Sequence, residues 1–147
     1  MLFSRGFLGR NLAFEGGCIA ALITRLLVVD RKEPLLEVIS TYLGGLGYEV
    51  DSASSDTRAQ ALVGRHPYGL MVLDLMHVHD FGVGLLQGFV RNNPRSPVIV
   101  LTSMGYENEL LQTAFKNGAT TSLSKTMPIE DLSRRIVHLR GSSSTAC

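Results

Sequence analysis

One short stretch decides the fold of this chain: Leu70-Met71-Val72-Leu73-Asp74-Leu75. A short apolar run of this kind, which follows Tyr68-Gly69 and precedes polar residues, predicts a strand that is buried on both faces of a sheet. Open α/β sheets bind their ligands in the crevice outside the carboxyl ends of their strands. Asp74 is therefore predicted to lie at the mouth of such a crevice.

The length and composition are those of one globular domain. The chain has 147 residues and a formal net charge of +1, which gives no general attraction to nucleic acid. No apolar run is long enough to span a bilayer. Cys18 and Cys147 lie in the two segments least suited to packing, which favours a reducing compartment over a disulfide framework. We expect a cytoplasmic protein without a membrane span or direct contact with nucleic acid.

Four further stretches have the pattern of strands, and amphipathic helical segments separate them. They are residues 25–30, 48–53, 98–102 and 119–124. Strands that alternate with helices imply a parallel sheet covered on both faces, and right-handed crossovers restrict its topology. The predicted fold is an α/β, flavodoxin-like (βα)5 three-layer sandwich with a parallel five-stranded sheet in the order 2-1-3-4-5.

The predicted domain covers residues 25–140. Residues 1–24 make a poor signal peptide, and we expect an N-terminal extension that is flexible or loosely docked. A mis-assigned start codon and an amphipathic helix that docks on a partner are the alternatives. Residues 141–147 are a low-complexity run of small residues, which predicts a flexible tail.

Four strand ends carry residues that could do chemistry. Asp30, Asp74, Thr102 and Lys125 end the first, third, fourth and fifth strands, and this topology brings those ends to one edge. Phosphoryl transfer to a carboxylate uses these residue types. One Asp is the nucleophile, another helps to hold a divalent metal, and the Lys and the hydroxyl contact phosphoryl oxygens.

Five stretches, in this order and at this spacing, resemble the receiver domain of bacterial two-component response regulators. They are residues 26–30, 46–50, 72–76 with Gly82, 97–103, and 117–119 with Lys125. Each stretch alone is a weak signal, but together they cover about residues 26–139. The resemblance implies a CheY-like phosphorylation switch rather than an enzyme, with at most self-phosphorylation and self-dephosphorylation.

The resemblance also implies roles for single residues. Asp74 would be the phospho-acceptor, and Thr102 and Lys125 would contact the phosphoryl group. Asp30, Asp74 and the backbone carbonyl of Met76 would hold Mg²⁺, and the small side chain of Ser103 would let phosphoryl oxygens approach the backbone.

The implied partners are a sensor histidine kinase or phosphotransfer protein and a downstream protein target. The target would be reached in trans through the last two βα units, which could also form a homodimer. We expect a stand-alone receiver because no output domain follows Arg140, with a truncated longer regulator as the alternative.

The main departure from the receiver pattern is Arg31, where receivers usually have a second acid. The formal charges of the predicted site then sum to zero, because it has two acids, Asp30 and Asp74, and two bases, Arg31 and Lys125. A neutral site predicts weakened Mg²⁺ binding. Arg31 could pair with Asp74 and take the place of the metal, since guanidinium matches a carboxylate well. It could instead point to solvent and leave a weak site.

Three smaller departures mark an atypical receiver. Thr126 replaces a proline, which puts the usual cis bond there in doubt, and Val78 replaces another proline. Ser122 replaces an aromatic residue that often switches rotamer on phosphorylation. A signal that leaves the site therefore needs another route.

Two other functions are open. The first is a pseudo-receiver interaction module in which Arg31 replaces the metal and phosphorylation is lost. The second is an enzyme with the same topology. A phosphatase would want an acid at Met76, and a flavin protein would want a phosphate-binding loop after the first strand.

Two polar clusters are interpreted as solvent-facing. The segment from His77 to Asp80 is predicted to lie in a surface loop that runs to Gly82, and not to bind a metal. The basic end of the last helix is predicted to be a solvated face, and consists of Arg134, Arg135, His138 and Arg140.

Overall fold

A five-stranded parallel sheet forms the centre of the computed structural model, which describes residues 25–103 and 108–144. The strands stand in the order β2-β1-β3-β4-β5, which confirms the predicted topology. They are β1 (Arg25–Val29), β2 (Glu49–Ala53), β3 (Leu70–Asp74), β4 (Val98–Thr102) and β5 (Thr121–Ser124).

Six helices occur in the described residues, and five of them were predicted. They are α1 (Glu33–Gly45), α2 (Asp56–Arg65), α3 (Leu75–Phe81), α4 (Gly84–Asn92), α5 (Asn108–Lys116) and α6 (Ile129–Ser144). The segment predicted as a loop before Gly82 is helix α3, so that prediction was wrong. The helix forms there because the Asp74 carboxylate accepts a hydrogen bond from the Met76 amide at 3.2 Å and so caps its first turn.

The core lies on both faces of the sheet. Every residue of β3 and β4 is buried, as expected for central strands of a parallel sheet with helices on both sides. One apolar layer includes Leu73 and Phe89, and the other includes Leu43 and Ile136. The two layers fix the sheet from both sides, so the carboxyl ends of its strands form a rigid edge.

Helix α6 is longer than predicted. It continues through Ser144, whereas the domain was expected to end at Arg140 and to be followed by a flexible tail. Adding residues to an existing helix needs no new nucleation, so even Gly141 and the serines after it can extend the helix. Residues 145–147 and the N-terminal extension lie outside the described residues. Among the helices that the structure describes, none combines the length and apolar character that crossing a bilayer requires.

A polar cluster joins β1, β2 and the segment before β3. Asp51 Oδ2 accepts hydrogen bonds from the Tyr68 hydroxyl at 2.7 Å and from Arg25 Nη2 at 3.0 Å. Burial alone would raise the pKa of Asp51, but these two donors outweigh it and hold that pKa below its usual value. Burial of Tyr68 and its hydrogen bond to the Asp51 carboxylate raise the pKa of Tyr68.

We predict that Tyr68→Phe lowers the free energy of unfolding by about 1.5 kcal/mol at neutral pH, because it removes a hydrogen bond to a charged group. The folded-state pKa of Asp51 is lower than its unfolded-state pKa. Its stabilisation is therefore complete above the unfolded value and is lost as the pH falls through the folded value. In urea unfolding, the loss of free energy of unfolding caused by Tyr68→Phe should become smaller as the pH falls through the acid range.

Tyr42→Phe is the matched control for this prediction. The Tyr42 hydroxyl lies 3.2 Å from Ser133 Oγ, so its partner is neutral. The cost of Tyr42→Phe should not change over the same pH range. An equal pH dependence for both variants would contradict the assigned role of Asp51.

Gly118 follows the end of α5 in a conformation that favours glycine. Its φ is 116°, and a Cβ there would lie 2.6 Å from Val90 Cγ2. Gly118→Ala should lower the free energy of unfolding by about 2 kcal/mol through backbone strain and overpacking. Gly44→Ala is the control, since a Cβ in this turn of α1 meets nothing within 4 Å. Equal urea midpoints for the two variants would contradict this account.

Candidate functional site

The carboxyl edge of the sheet brings three of the predicted residues into direct contact. Asp30 follows β1, Asp74 ends β3, and Lys125 follows β5. Lys125 Nζ lies 2.8 Å from Asp30 Oδ2 and 3.1 Å from Asp74 Oδ1. One ammonium group therefore bridges the two carboxylates.

The two carboxylates are almost completely buried. Asp30 is 1% exposed and Asp74 is 3% exposed. Two buried negative charges this close together require a compensating cation and hydrogen bonds. Lys125 supplies the cation, and the Lys32 amide donates to Asp30 Oδ1 at 2.9 Å. The site is consequently a buried pocket in which two carboxylates share one cation.

Thr102 lies at the same edge, at the end of β4, and its backbone carbonyl accepts from the Lys125 amide at 2.7 Å. Its hydroxyl donates to the Leu123 carbonyl at 3.5 Å. The hydroxyl is therefore engaged with β5 rather than with Asp74. Ser103 follows directly and is partly exposed.

Met76 lies in the first turn of α3. Its amide donates to Asp74 Oδ1. In an α-helix the carbonyl of residue 76 accepts from the amide of residue 80. The carbonyl that was predicted as a metal ligand thus belongs to the helical hydrogen-bond ladder.

Arg31 does not pair with Asp74. Its Nη1 atom lies 2.6 Å from Asp80 Oδ2 on α3, and its side chain is 50% exposed. Of the two alternatives for Arg31, the pair with Asp74 does not form, and Asp74 contacts Lys125 instead. Arg31 is not free in solvent either, since Asp80 holds it at the rim of the site.

His77 was predicted to face solvent, and this prediction was also wrong. It is 2% exposed, its Nε2 atom lies 2.9 Å from Asp56 Oδ1, and its ring centroid lies 4.9 Å from that of Phe81. His79, by contrast, is exposed and lies 3.1 Å from Asp80. Over the described residues there is no cluster of three or more His, Cys, Asp or Glu side chains suited to a metal.

The donor set fits Mg²⁺, but weakly. Mg²⁺ in proteins is commonly held by one or two carboxylates, with water and substrate phosphate oxygens completing the shell. Asp30 and Asp74 supply two carboxylates, but the Lys125 ammonium already contacts both of them. A metal ion would therefore compete with Lys125, and Arg31 adds no anionic ligand.

Comparison with known proteins finds one family. The model of the response regulator receiver domain matches residues 26–137. The transcriptional regulatory protein PmrA of Pectobacterium parmentieri is 31% identical over 112 residues, which are 76% of this chain and 50% of that protein. The response regulator protein PilR of Pseudomonas aeruginosa is 29% identical over 101 residues, 69% of this chain and 22% of PilR. This chain spans about half the length, or less, of these curated relatives.

Solved structures show the same fold. A CheY-like receiver domain protein from Methanospirillum hungatei has a TM-score of 0.76 at 23% identity, covering 85% of this chain and 99% of that one. A response regulator from Burkholderia pseudomallei, with a phosphorylated aspartic acid, calcium ion and citrate, has a TM-score of 0.68 at 23% identity, covering 84% and 74%. The beryllofluoride-activated NtrC4 receiver domain dimer has a TM-score of 0.71 at 28% identity, covering 82% and 99%.

The bridging role of Lys125 predicts a large stability effect. Lys125→Met leaves two buried carboxylates without their cation and should lower the free energy of unfolding by about 3 kcal/mol, measured in urea at neutral pH. The double variant Asp30→Asn/Lys125→Met should recover part of this loss. Arg134→Gln, which removes the exposed pair with Asp131, is the control. If Lys125→Met costs no more than the control, Lys125 does not bridge the site.

Proposed function

This chain belongs to the response regulator receiver domain family, and from that membership we propose that Asp74 accepts a phosphoryl group from a histidine kinase or a phosphotransfer protein. The observation that carries the proposal is the Lys125 ammonium, 3.1 Å from a carboxylate at the end of a buried central strand. A preorganised positive charge that can contact the phosphoryl oxygens stabilises the transition state of phosphoryl transfer.

The chemistry on this chain is a single displacement. A carboxylate oxygen of Asp74 attacks the phosphorus of a phosphohistidine, the P–N bond breaks, and the imidazole keeps the bonding pair and takes up a proton. Lys125 stays beside Asp74 and contacts an oxygen of the transferred group. The Thr102 hydroxyl turns from the Leu123 carbonyl to another phosphoryl oxygen, and the small Ser103 leaves room for that group.

A bound Mg²⁺ would neutralise phosphoryl charge during the transfer. Asp30 and Asp74 would hold it, with Lys125 displaced toward the phosphoryl group. We infer that the site is weak for the metal because residue 31 is an arginine rather than a third acid.

The output of the switch passes through the last two βα units to a protein target in trans, and a homodimer through these units is one form of that output. The route starts at Thr102. When its hydroxyl leaves the Leu123 carbonyl, β5 loses a contact with β4. Ser122, on the same strand, stands where many receivers carry an aromatic switch residue, so this backbone contact takes over the role of that ring.

We place the protein in the cytoplasm.

The pseudo-receiver alternative rests on the pairing of Arg31 with Asp74, and Arg31 instead contacts Asp80. What remains of that alternative is a module with a closed site and no phosphorylation. It is separated from the proposed function by direct measurement of the modification.

The proposed function predicts that the protein gains one phosphoryl group when it is incubated with a small acyl phosphate and Mg²⁺. Intact-mass spectrometry should show the gain in the parent chain and none in Asp74→Asn. Asp131→Asn, which changes an exposed acid on α6, is the matched control and should be modified like the parent. An unmodified parent, or a gain that survives in Asp74→Asn, would contradict the proposal.

The identity of residue 31 should set the metal requirement. Arg31→Asp supplies another anionic oxygen ligand, and the Mg²⁺ concentration for half-maximal phosphorylation should fall about tenfold. Arg31→Asn is the control, because it also removes the contact with Asp80 but adds no acid. An equal Mg²⁺ requirement for Arg31→Asp and Arg31→Asn would show that residue 31 does not tune the metal site.

A further inference from the structure

Helix α3 takes a path along the carboxyl edge of the sheet. It begins directly after Asp74, and its residue His77 reaches Asp56, the first residue of α2. Its residue Asp80 reaches Arg31, just beyond β1. These two contacts lie on the β1 and β2 side of β3. On the other side of β3, α3 contacts β4 and α5. The helix therefore lies across the edge that contains Asp74.

Helix α3 lies next to the buried acceptor, because it begins at the residue after Asp74. In-line attack on a phosphorus atom requires the donor to approach within contact distance of a carboxylate oxygen. Asp74 is 3% exposed, so no donor reaches it in this conformation. A segment next to the carboxylate has to move before the transfer, and α3 starts at the residue after it.

Two side-chain contacts of unequal burial hold α3 in place. The pair between His77 and Asp56 is an anchor, because the His77 ring is buried and lies against Phe81. The pair between Arg31 and Asp80 is a latch at the solvent side, since half of the Arg31 side chain is exposed. Exposed pairs contribute little free energy, so α3 opens more easily at the latch than at the anchor.

We propose that α3 is a lid over Asp74, and that the Arg31–Asp80 ion pair is the latch that controls access of a phosphoryl donor. The inference rests on the proposed function, because access matters only if Asp74 is phosphorylated. Arg31 and Asp80 are positioning residues that act through α3. The latch gives a physical reason for an arginine at position 31, since an acid there would repel Asp80.

The lid is also coupled to the acceptor itself. Asp74 Oδ1 caps α3 through the Met76 amide while it contacts Lys125. A carboxylate cap stabilises the first turn of a helix, and phosphorylation of Asp74 alters that carboxylate. Modification of Asp74 is therefore expected to change the stability of the lid.

The test compares the parent with Arg31→Gln, Asp80→Asn and the double variant. Amide hydrogen exchange of residues 75–82, without phosphodonor, measures opening of the lid. Initial phosphorylation rates with a small acyl phosphate at saturating Mg²⁺ measure access. Each single variant should raise both quantities about two- to fivefold, and the double variant should not exceed the larger single effect, because both changes remove one interaction.

The two substitutions change the charge in opposite directions, which separates the latch from electrostatics. Arg31→Gln removes a positive charge near the site and Asp80→Asn removes a negative one. A rate that rises in one variant and falls in the other is an electrostatic effect and overturns the latch. Arg134→Gln and Asp131→Asn, which break the ion pair on α6, should match the parent in both measurements.

The two measurements also separate failure of the lid from failure of the proposed function. Unchanged exchange in both single variants overturns the lid. Raised exchange with parental phosphorylation rates overturns the control of access but leaves phosphorylation intact. Raised exchange with no phosphorylation in any protein, the parent included, supports the lid and overturns the proposed function.

Discussion

The arrangement of the carboxyl edge of the sheet depends on the contacts of the Lys125 ammonium group with two carboxylates. Asp30 follows β1 and Asp74 ends the adjacent strand β3, and burial of both charges side by side is unfavourable unless a cation lies between them. Lys125 reaches them from the end of β5, whose own residues are at best partly buried. The edge strand is thus held by pairing with β4 and by this charge, and the crevice takes its shape from both.

The same cation sets the chemistry of the pocket. Lys125 offsets one of the two buried negative charges in the absence of a metal, whereas a third acid would add charge that only a further cation could offset. Arg31 does not enter the pocket. It forms an ion pair with Asp80 at the rim. In the proposed switch, position 31 therefore serves either metal binding, with an acid, or the contact with Asp80, with the arginine that this chain has.

The sequence was sufficient for the strand order and for bringing Asp30, Asp74 and Lys125 to one edge, because parallel strands bring their carboxyl ends together. It was not sufficient for α3. Seven residues make about two turns, which is too short for a helical period to be recognised. The carboxylate of Asp74 was interpreted as a phospho-acceptor, so its second role as the N-cap of α3 was not recognised. The burial of His77 and the partner of Arg31 were missed for the same reason, since both depend on the path of α3.

Asp74 has three functions that cannot vary independently. It is the last residue of β3, the cap of α3, and the carboxylate that contacts Lys125. A change in its charge must act on α3 through the cap and on Lys125 through the ion pair. Position 122 lacks the aromatic side chain that many receivers move during signalling, and within the described residues two other routes fit the proposed switch. One runs from Thr102 to the Leu123 carbonyl of β5, and the other from Asp74 along α3 to Arg31. The second begins at the carboxylate that we propose is phosphorylated, so the proposed modification would act most directly on the stability of α3.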